Sequence, residues 1–240
     1  MIKFQDTSVG FPVNTHKNYS LRKAVVGSMV KKLGGTISQH NKFTVINALN
    51  HLNFEINEGD KVGLFGPNGS GKSTLLKTIA GIYPPTTGTI NVTGKINNLL
   101  NIGYGFNAEL TGEKAAEFRL IVADFKGNFE KKLEDIKNFS GLEEYFHLPI
   151  KTYSSGMSFR LAFSIVSQLE GDILLMDEWL SAGDESFISK VNLKLQEIIK
   201  SSKILVLASH SKELLKNNCN KLMVLQNGNI EYLGEMLNEF

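Results

Sequence analysis

One cysteine, one tryptophan and five prolines stand among 240 residues, and neither sign of charge dominates. The lone Cys219 excludes an internal disulfide framework and fits a reducing compartment, where it reads as an inert thiol. A net charge of +2 is too small to argue for nucleic acid or an acidic surface as a partner. No apolar stretch approaches the roughly 18 residues that a membrane span needs. Met1–Asp6 also lacks an apolar core of signal-peptide length. Any membrane role is therefore expected to come through a partner. With 42% hydrophobic and 21% charged residues the chain reads as globular rather than disordered, with no repeat or low-complexity linker. Its length suits one domain, or one core with a satellite subdomain.

What is present is a glycine-rich stretch, Gly66-Pro67-Asn68-Gly69-Ser70-Gly71-Lys72-Ser73-Thr74. It follows the apolar run Lys61–Phe65 and leads into a helical pattern with Leu75, Leu76, Ile79 and Ala80 on the apolar side. Buried strand, glycine-rich turn and helix are the context of a P-loop. Glycines let successive N–H groups curl around a phosphate, because no Cβ blocks positive φ or close approach. The helix that follows adds its free N–H groups and positive dipole end. Lys72 is expected to reach the β- and γ-phosphates, and the Ser73 hydroxyl to ligate Mg²⁺. The plainer alternative is a strand-to-helix turn with an incidental lysine. Average composition makes a chance match of the four fixed positions about 1% for such a chain. The stretch reads as a nucleotide site.

Taken in order, residues 2–13 alternate loosely and predict an edge strand. Tyr19–Leu33 carries an apolar stripe with Arg22, Lys23, Lys31 and Lys32 mainly off it, stopped by Gly34-Gly35. It reads either as a surface helix docked on its own domain or as a basic amphipathic element near a membrane face or charged glycan. Thr44–Ile56 predicts strand, turning at Asn57–Asp60 into the P-loop strand. Short strands are expected from Gly88 to Leu100, and helices over about 107–149. Phe159–Leu169 predicts another helix, Ile173–Met176 a buried strand, Val191–Ile199 a helix and Ile204–Ala208 a strand. That alternation implies a parallel sheet. A closing hairpin is expected around Asn227-Gly228.

A second constellation follows the strand Ile173–Met176, which ends in Asp177 and Glu178. Strands often end in acids, so the pattern alone is weak. Paired with a P-loop about a hundred residues upstream it becomes informative, and predicts that this strand lies beside the P-loop strand. Asp177 would then face Mg²⁺, and Glu178 could polarise the water attacking the γ-phosphate. His210 follows the next apolar strand, where a side chain could sense the γ-phosphate. A lone histidine there is otherwise usually structural.

These residues, with Tyr153-Ser154-Ser155-Gly156-Met157 about twenty positions before Asp177, carry a family resemblance. The pentapeptide resembles the ABC ATPase signature LSGGQ, with Arg160 following where that family has a basic residue. Ser181-Ala182-Gly183-Asp184 looks like the family's D-loop, and His210 like its switch histidine. Taken jointly, in order and spacing, the motifs resemble an ABC transporter nucleotide-binding domain. The departures point further. YSSGM replaces LSGGQ, DEWLSAGDESF replaces DEP(T/S)SALD, and Leu99–Gly112 holds no glutamine where most relatives carry a Q-loop. Such variants, with GxGFxxELTG, look like the branch that exports O-antigen, capsular polysaccharide or teichoic acid. The Ser20-Leu21-Arg22 helix ending at Gly34-Gly35 is similar to that branch's extra helix near the membrane.

The resemblance implies an α/β fold: a P-loop NTPase core with an N-terminal antiparallel β-subdomain and an inserted helical subdomain. The single domain 1–240 would divide into core at 1–106 and 159–240 and helices at about 107–158, with the extra helix at 20–35. It implies ATP and Mg²⁺ as cofactors, with Ser73 and Asp177 on the metal and Glu178 and His210 in catalysis. Gly66, Asn68, Gly69, Ser70, Gly71, Lys72, Ser73 and Thr74 would hold the phosphates. A second copy would pair head to tail, presenting Ser154 and Gly156 to the γ-phosphate. Phe43 is the candidate to stack the adenine, the alternative being a core phenylalanine. The implied partners are a transmembrane permease and, through it, a lipid-linked glycan, with no nucleic acid. The chain would sit peripherally on the cytoplasmic face of the cell (inner) membrane. An ABC transporter for lipid, peptide or drug is the alternative, and a soluble non-transport ABC ATPase stands behind it.

Overall fold

The computed structural model describes residues 1–13, 36–40, 43–100, 106–178 and 185–237. The basic helix expected at Tyr19–Leu33 and the D-loop at 181–184 lie outside them. The chain forms two compact units.

The first unit comprises Met1–Gly94, Leu175–Glu178 and Lys203–Phe240. Its antiparallel sheet contains β1 (Ile2–Val13), β2 (Thr36–His40), β3 (Phe43–Ile56) and β5 (Thr87–Val92), in the order β2-β3-β1-β5. β1 pairs along both sides, with β3 from Ile2↔Ile56 and with β5 from Ile2↔Val92, so it is central rather than an edge strand. Its loose alternation comes from register shifts between Phe4 and Gly10, which turn successive side chains out of strict period. Phe4 and Phe54 stack across the pair with ring centroids 4.5 Å apart. β2 carries no strong sequence pattern and is recruited by pairing with β3.

The unit's second sheet holds β4 (Lys61–Phe65), β8 (Ile204–Ala208), β9 (Lys221–Gln226) and β10 (Asn229–Glu235). β4 runs parallel to β8 on one side and to β9 on the other, and β9–β10 is an antiparallel hairpin. Every residue of β8 is buried, which explains its unbroken apolar run: parallel strands are covered on both faces. α1 (Lys72–Ile79) and α6 (Lys212–Asn218) belong to this unit, α6 packing on β4 where Gly63 faces Leu215. β7 (Ile173–Asp177) lies beside β8, not beside β4. The expected adjacency of the acid-bearing strand and the P-loop strand is therefore wrong. Parallel strands are joined by crossovers, so a strand later in sequence can be inserted between two earlier ones.

The second unit spans Lys95–Leu174 and Trp179–Ser202. It holds β6 (Ile96–Asn98), α2 (Gly112–Val122), α3 (Phe129–Ser140), α4 (Ser155–Ser167) and α5 (Glu185–Ser201). Ala115, Ala116, Leu120, Ile136, Phe146, Leu161 and Ile165 form its main apolar core. Side chains of Thr111, Asn128 and Ser154 cap the starts of α2, α3 and α4, each accepting from an N–H three residues on. Beside that core, Phe139, Phe159, Phe163 and Phe187 cluster, and the Arg160 guanidinium lies 4.7 Å over Phe187. Arg160 also donates to the Ser140 carbonyl at 3.2 Å, so its charge is used in packing within this unit. Among the described residues no helix is long and apolar enough to cross a membrane.

Candidate nucleotide site

The turn between β4 and α1 needs glycine at several points. Gly66, Gly69 and Gly71 have φ of 154°, 79° and 111°. A Cβ on Gly66 would strike the Leu225 carbonyl oxygen, and one on Gly71 would lie 2.8 Å from that of Ala48. The loop is thus clasped between β3 and β9 within the first unit. Lys72, buried at the first turn of α1, donates from Nζ to the carbonyls of Gly66 (2.8 Å) and Pro67 (3.2 Å). Ser70 Oγ is buried with no hydrogen-bond partner among the described residues. Asn68, Gly69 and Ser73 are exposed, and Thr74 is half-buried.

Asp177 ends β7, and Glu178 follows it exposed, with φ of 70° and its N–H donating to Ala208 O at 2.9 Å. A left-handed backbone at a glutamate is costly, and such strain concentrates where a side chain must be aimed. His210, also exposed, comes two residues after the end of β8. Ser209 between them donates its N–H to Leu64 O of β4 at 3.3 Å. The C-terminal ends of β4, β8 and β7 thus gather Gly66–Thr74, His210, Asp177 and Glu178 at one edge, where open α/β sheets hold ligands. Burial pushes the Lys72 ammonium pKa down from its ordinary value, and the carboxylates of Asp177 and Glu178 partly restore it.

A model of the ABC transporter family matches residues 49–181. The chain is 36% identical over 227 residues to the O-antigen export system ATP-binding protein RfbE of Yersinia enterocolitica, covering 94% of each chain. The chain belongs to the ABC transporter family. It is 38% identical over 190 residues to the teichoic acids export ATP-binding protein TagH of Bacillus anthracis, covering 79% of this chain and 34% of TagH. Against the O-antigen export system ATP-binding protein RfbB of Myxococcus xanthus it is 36% identical, covering 44% of that protein. Its fold matches a solved dimer of the ATP-binding cassette MJ0796 described as bound to ADP and Pi. There the TM-score is 0.70 and the identity 20%, over 99% of this chain and 100% of that one.

In this ABC transporter family member the stretch that resembles the signature, Tyr153–Met157, lies in the second unit. Ser154 is exposed, and its Oγ accepts from the Met157 N–H at 3.2 Å as the cap of α4. Gly156 is half-buried in the first turn, with 3.8 Å between a Cβ placed there and Ser154 Oγ, so its own chain leaves room for a side chain. Phe43 opens β3 opposite His40, but its side chain is outside the described residues. In the stretch without a Q-loop glutamine, Asn107 Oδ1 accepts from the Glu109 N–H at 3.0 Å, and Glu109 pairs with Lys151 at 2.7 Å.

Sequence reasoning missed the support of the P-loop by the β9–β10 turn. Gly228 donates its N–H to Ser70 O at 3.0 Å and accepts from the Asn50 N–H at 2.9 Å. Asn50 Nδ2 also donates to Asn227 O at 3.0 Å. Asn227-Gly228 is legible as a hairpin turn, but nothing local says what the turn leans on. A cleft of about 730 Å³ in the second unit, lined by Lys95, Lys132, Asp172, Lys194 and Glu197 among others, includes none of the predicted site residues. Its mixed charge favours no single ligand.

Proposed function

We propose that this chain is the ATP-hydrolysing subunit of a transporter that exports a lipid-linked polysaccharide, an O-antigen, capsule or teichoic acid. One observation carries the substrate class: the 36% identity to an O-antigen export ATP-binding protein over 94% of both chains. The teichoic acid relative at 38% identity supports it. The chain would work as a peripheral subunit at the cytoplasmic face of the membrane, bound to a permease and to a second copy of itself.

The residues present fit a nucleotide with its metal. Ser73 in the first turn of α1 and Asp177 at the end of β7 offer hard oxygen donors of the kind Mg²⁺ takes. Held there, Mg²⁺ would offset the charge on the β- and γ-phosphates. Lys72, already turned toward the loop carbonyls, would exchange Gly66 and Pro67 for phosphate oxygens. The N–H groups from Gly69 to Thr74 would cradle the same anion. Glu178 would accept a proton from the attacking water, and His210 would contact the γ-phosphate. Ser154 and Gly156 of a second copy would close the site, so that ATP joins the two copies and hydrolysis releases them. Phe43 would stack the adenine.

The test is made in the native host with Glu178→Gln in place of the wild type. Lipid-linked glycan inside the cell and finished polysaccharide at the surface are both measured. Glycan retained inside with a bare surface supports export. Unchanged surface polysaccharide, with the variant shown inactive as an ATPase, removes the polysaccharide reading and leaves a transporter of another substrate.

A further inference from the structure

Two stretches of the second unit, 107–112 and 149–153, are far apart in sequence and bound together in space. The Ile150 N–H donates to Leu110 O at 2.9 Å, and the Lys151 N–H to Ala108 O at 2.9 Å. Thr111 and Pro149 form a β-bridge, and Glu109 and Lys151 form an ion pair at 2.7 Å. That pair is more than half exposed on both sides and contributes little by itself. The backbone bonds and one steric fit decide the arrangement.

The steric fit joins Gly112 to Tyr153. The phenol of Tyr153 donates to Tyr145 O at 2.6 Å and lies against Gly112, where a Cβ would collide with its oxygen. The same Cβ would lie 3.1 Å from Phe146 O and 3.4 Å from the Tyr153 ring carbon that bears the hydroxyl. Gly112 is not among the glycines of positive φ, and it opens α2, where alanine is the better helix former. Neither backbone nor helix propensity asks for glycine here. Close contact with the Tyr153 hydroxyl does, with the Phe146 carbonyl a looser second neighbour. Tyr153 immediately precedes Ser154, the cap of α4, so whatever fixes the tyrosine fixes the entry of the chain into Ser154-Ser155-Gly156.

We propose that Gly112 and Tyr153 are positioning residues that lock the signature turn onto the 107–112 segment, setting the direction in which Ser154 and Gly156 are presented to the partner copy's nucleotide. This rests on the reading of the chain as an ATPase that closes over ATP as a pair. Two of the stretches that depart from the usual family pattern are thereby two halves of one clamp. A displacement of about 1 Å in such a positioning element suffices to lower turnover by as much as about a hundredfold.

The test uses the full chain and three readouts. These are ATP turnover, the affinity of the single chain for a fluorescent ATP analogue, and ATP-dependent self-association in a Glu178→Gln background. Gly112→Ala lowers turnover by roughly tenfold or more and weakens self-association. Analogue affinity stays within about twofold, because the P-loop belongs to the other unit. Adding Tyr153→Phe removes the oxygen that the new methyl meets most closely, leaving only the looser contact with Phe146 O, and brings turnover to within a few-fold of Tyr153→Phe alone. The role is overturned if Gly112→Ala turns over like the wild type, or if the double variant, folded by circular dichroism, stays about tenfold or more below Tyr153→Phe. Should Gly112→Ala alone not fold, the comparison of the double variant with Tyr153→Phe still decides. A wild-type chain that, purified with any membrane partner that accompanies it, neither hydrolyses nor binds ATP would instead remove the ATPase reading, and this role with it.

Discussion

The Gly228 amide donates a hydrogen bond to the Ser70 carbonyl at 3.0 Å, tying the C-terminal hairpin to the nucleotide loop. Gly228 has φ of 78°, and a Cβ there would lie 2.7 Å from both Ala48 O and Asn50 Nδ2. Gly228→Val therefore forces the turn off the loop. Strain of this kind costs about 1–3 kcal/mol, so ATP affinity should fall by about five- to a hundredfold with the fold retained. Calorimetric titration of the purified variant against wild type checks this. Unchanged affinity would mean that the loop holds its shape without the hairpin.

Lys72 is charged at a cost. Burial lowers its pKa from 10.5, and the two carboxylates only partly restore it. Lys72→Met removes a buried charge from the free protein and a charge-assisted phosphate contact from the bound one. Nucleotide affinity should fall by about ten- to a hundredfold, while the melting temperature does not fall.

A pH dependence follows from the same shift. The folded pKa lies below the unfolded value, so the unfolded chain holds this proton more tightly. The cost is present at neutral pH and is relieved as pH rises through the lowered pKa toward 10.5. The stability difference between Lys72→Met and wild type should thus narrow over that window. Denaturant titrations at several pH values measure it, and a difference that widened would reverse the assigned cause.

Cys219 is buried, and burial pushes its thiol pKa up to about 12. At pH 8 only about one thiol in ten thousand is then ionised. A disulfide reagent should leave the folded protein unlabelled over hours and modify it at once in denaturant. Rapid labelling under native conditions would place Cys219 in an accessible site instead.

The parts legible in the sequence are those where a few adjacent residues fix the backbone. Gly66, Gly69 and Gly71 are needed for their φ, and the apolar runs of β4, β7 and β8 are needed because both faces of the sheet are covered. Asp177, Glu178 and His210 were readable as strand-end residues, and the strands bring them to one edge. Pairing was less legible. β1 reads as an edge strand because its bulges break the alternation, and β7 reads as a neighbour of β4 because sequence does not reveal that β8 intervenes. Contacts across long sequence separations were not legible at all. Gly228 at Ser70 and Gly112 at Tyr153 are glycines whose reason lies in a neighbour that no local window contains.

On the function proposed above, the strand-end cluster is an ATP-hydrolysing site with Glu178 as its base. The most direct test is ATP turnover by Glu178→Gln, purified with any membrane partner that accompanies it, beside equilibrium ATP binding. Turnover should fall by at least about a hundredfold, the contribution of a positioned general base, with ATP affinity kept within about twofold. Turnover near that of the wild type would contradict the assignment and place the base elsewhere.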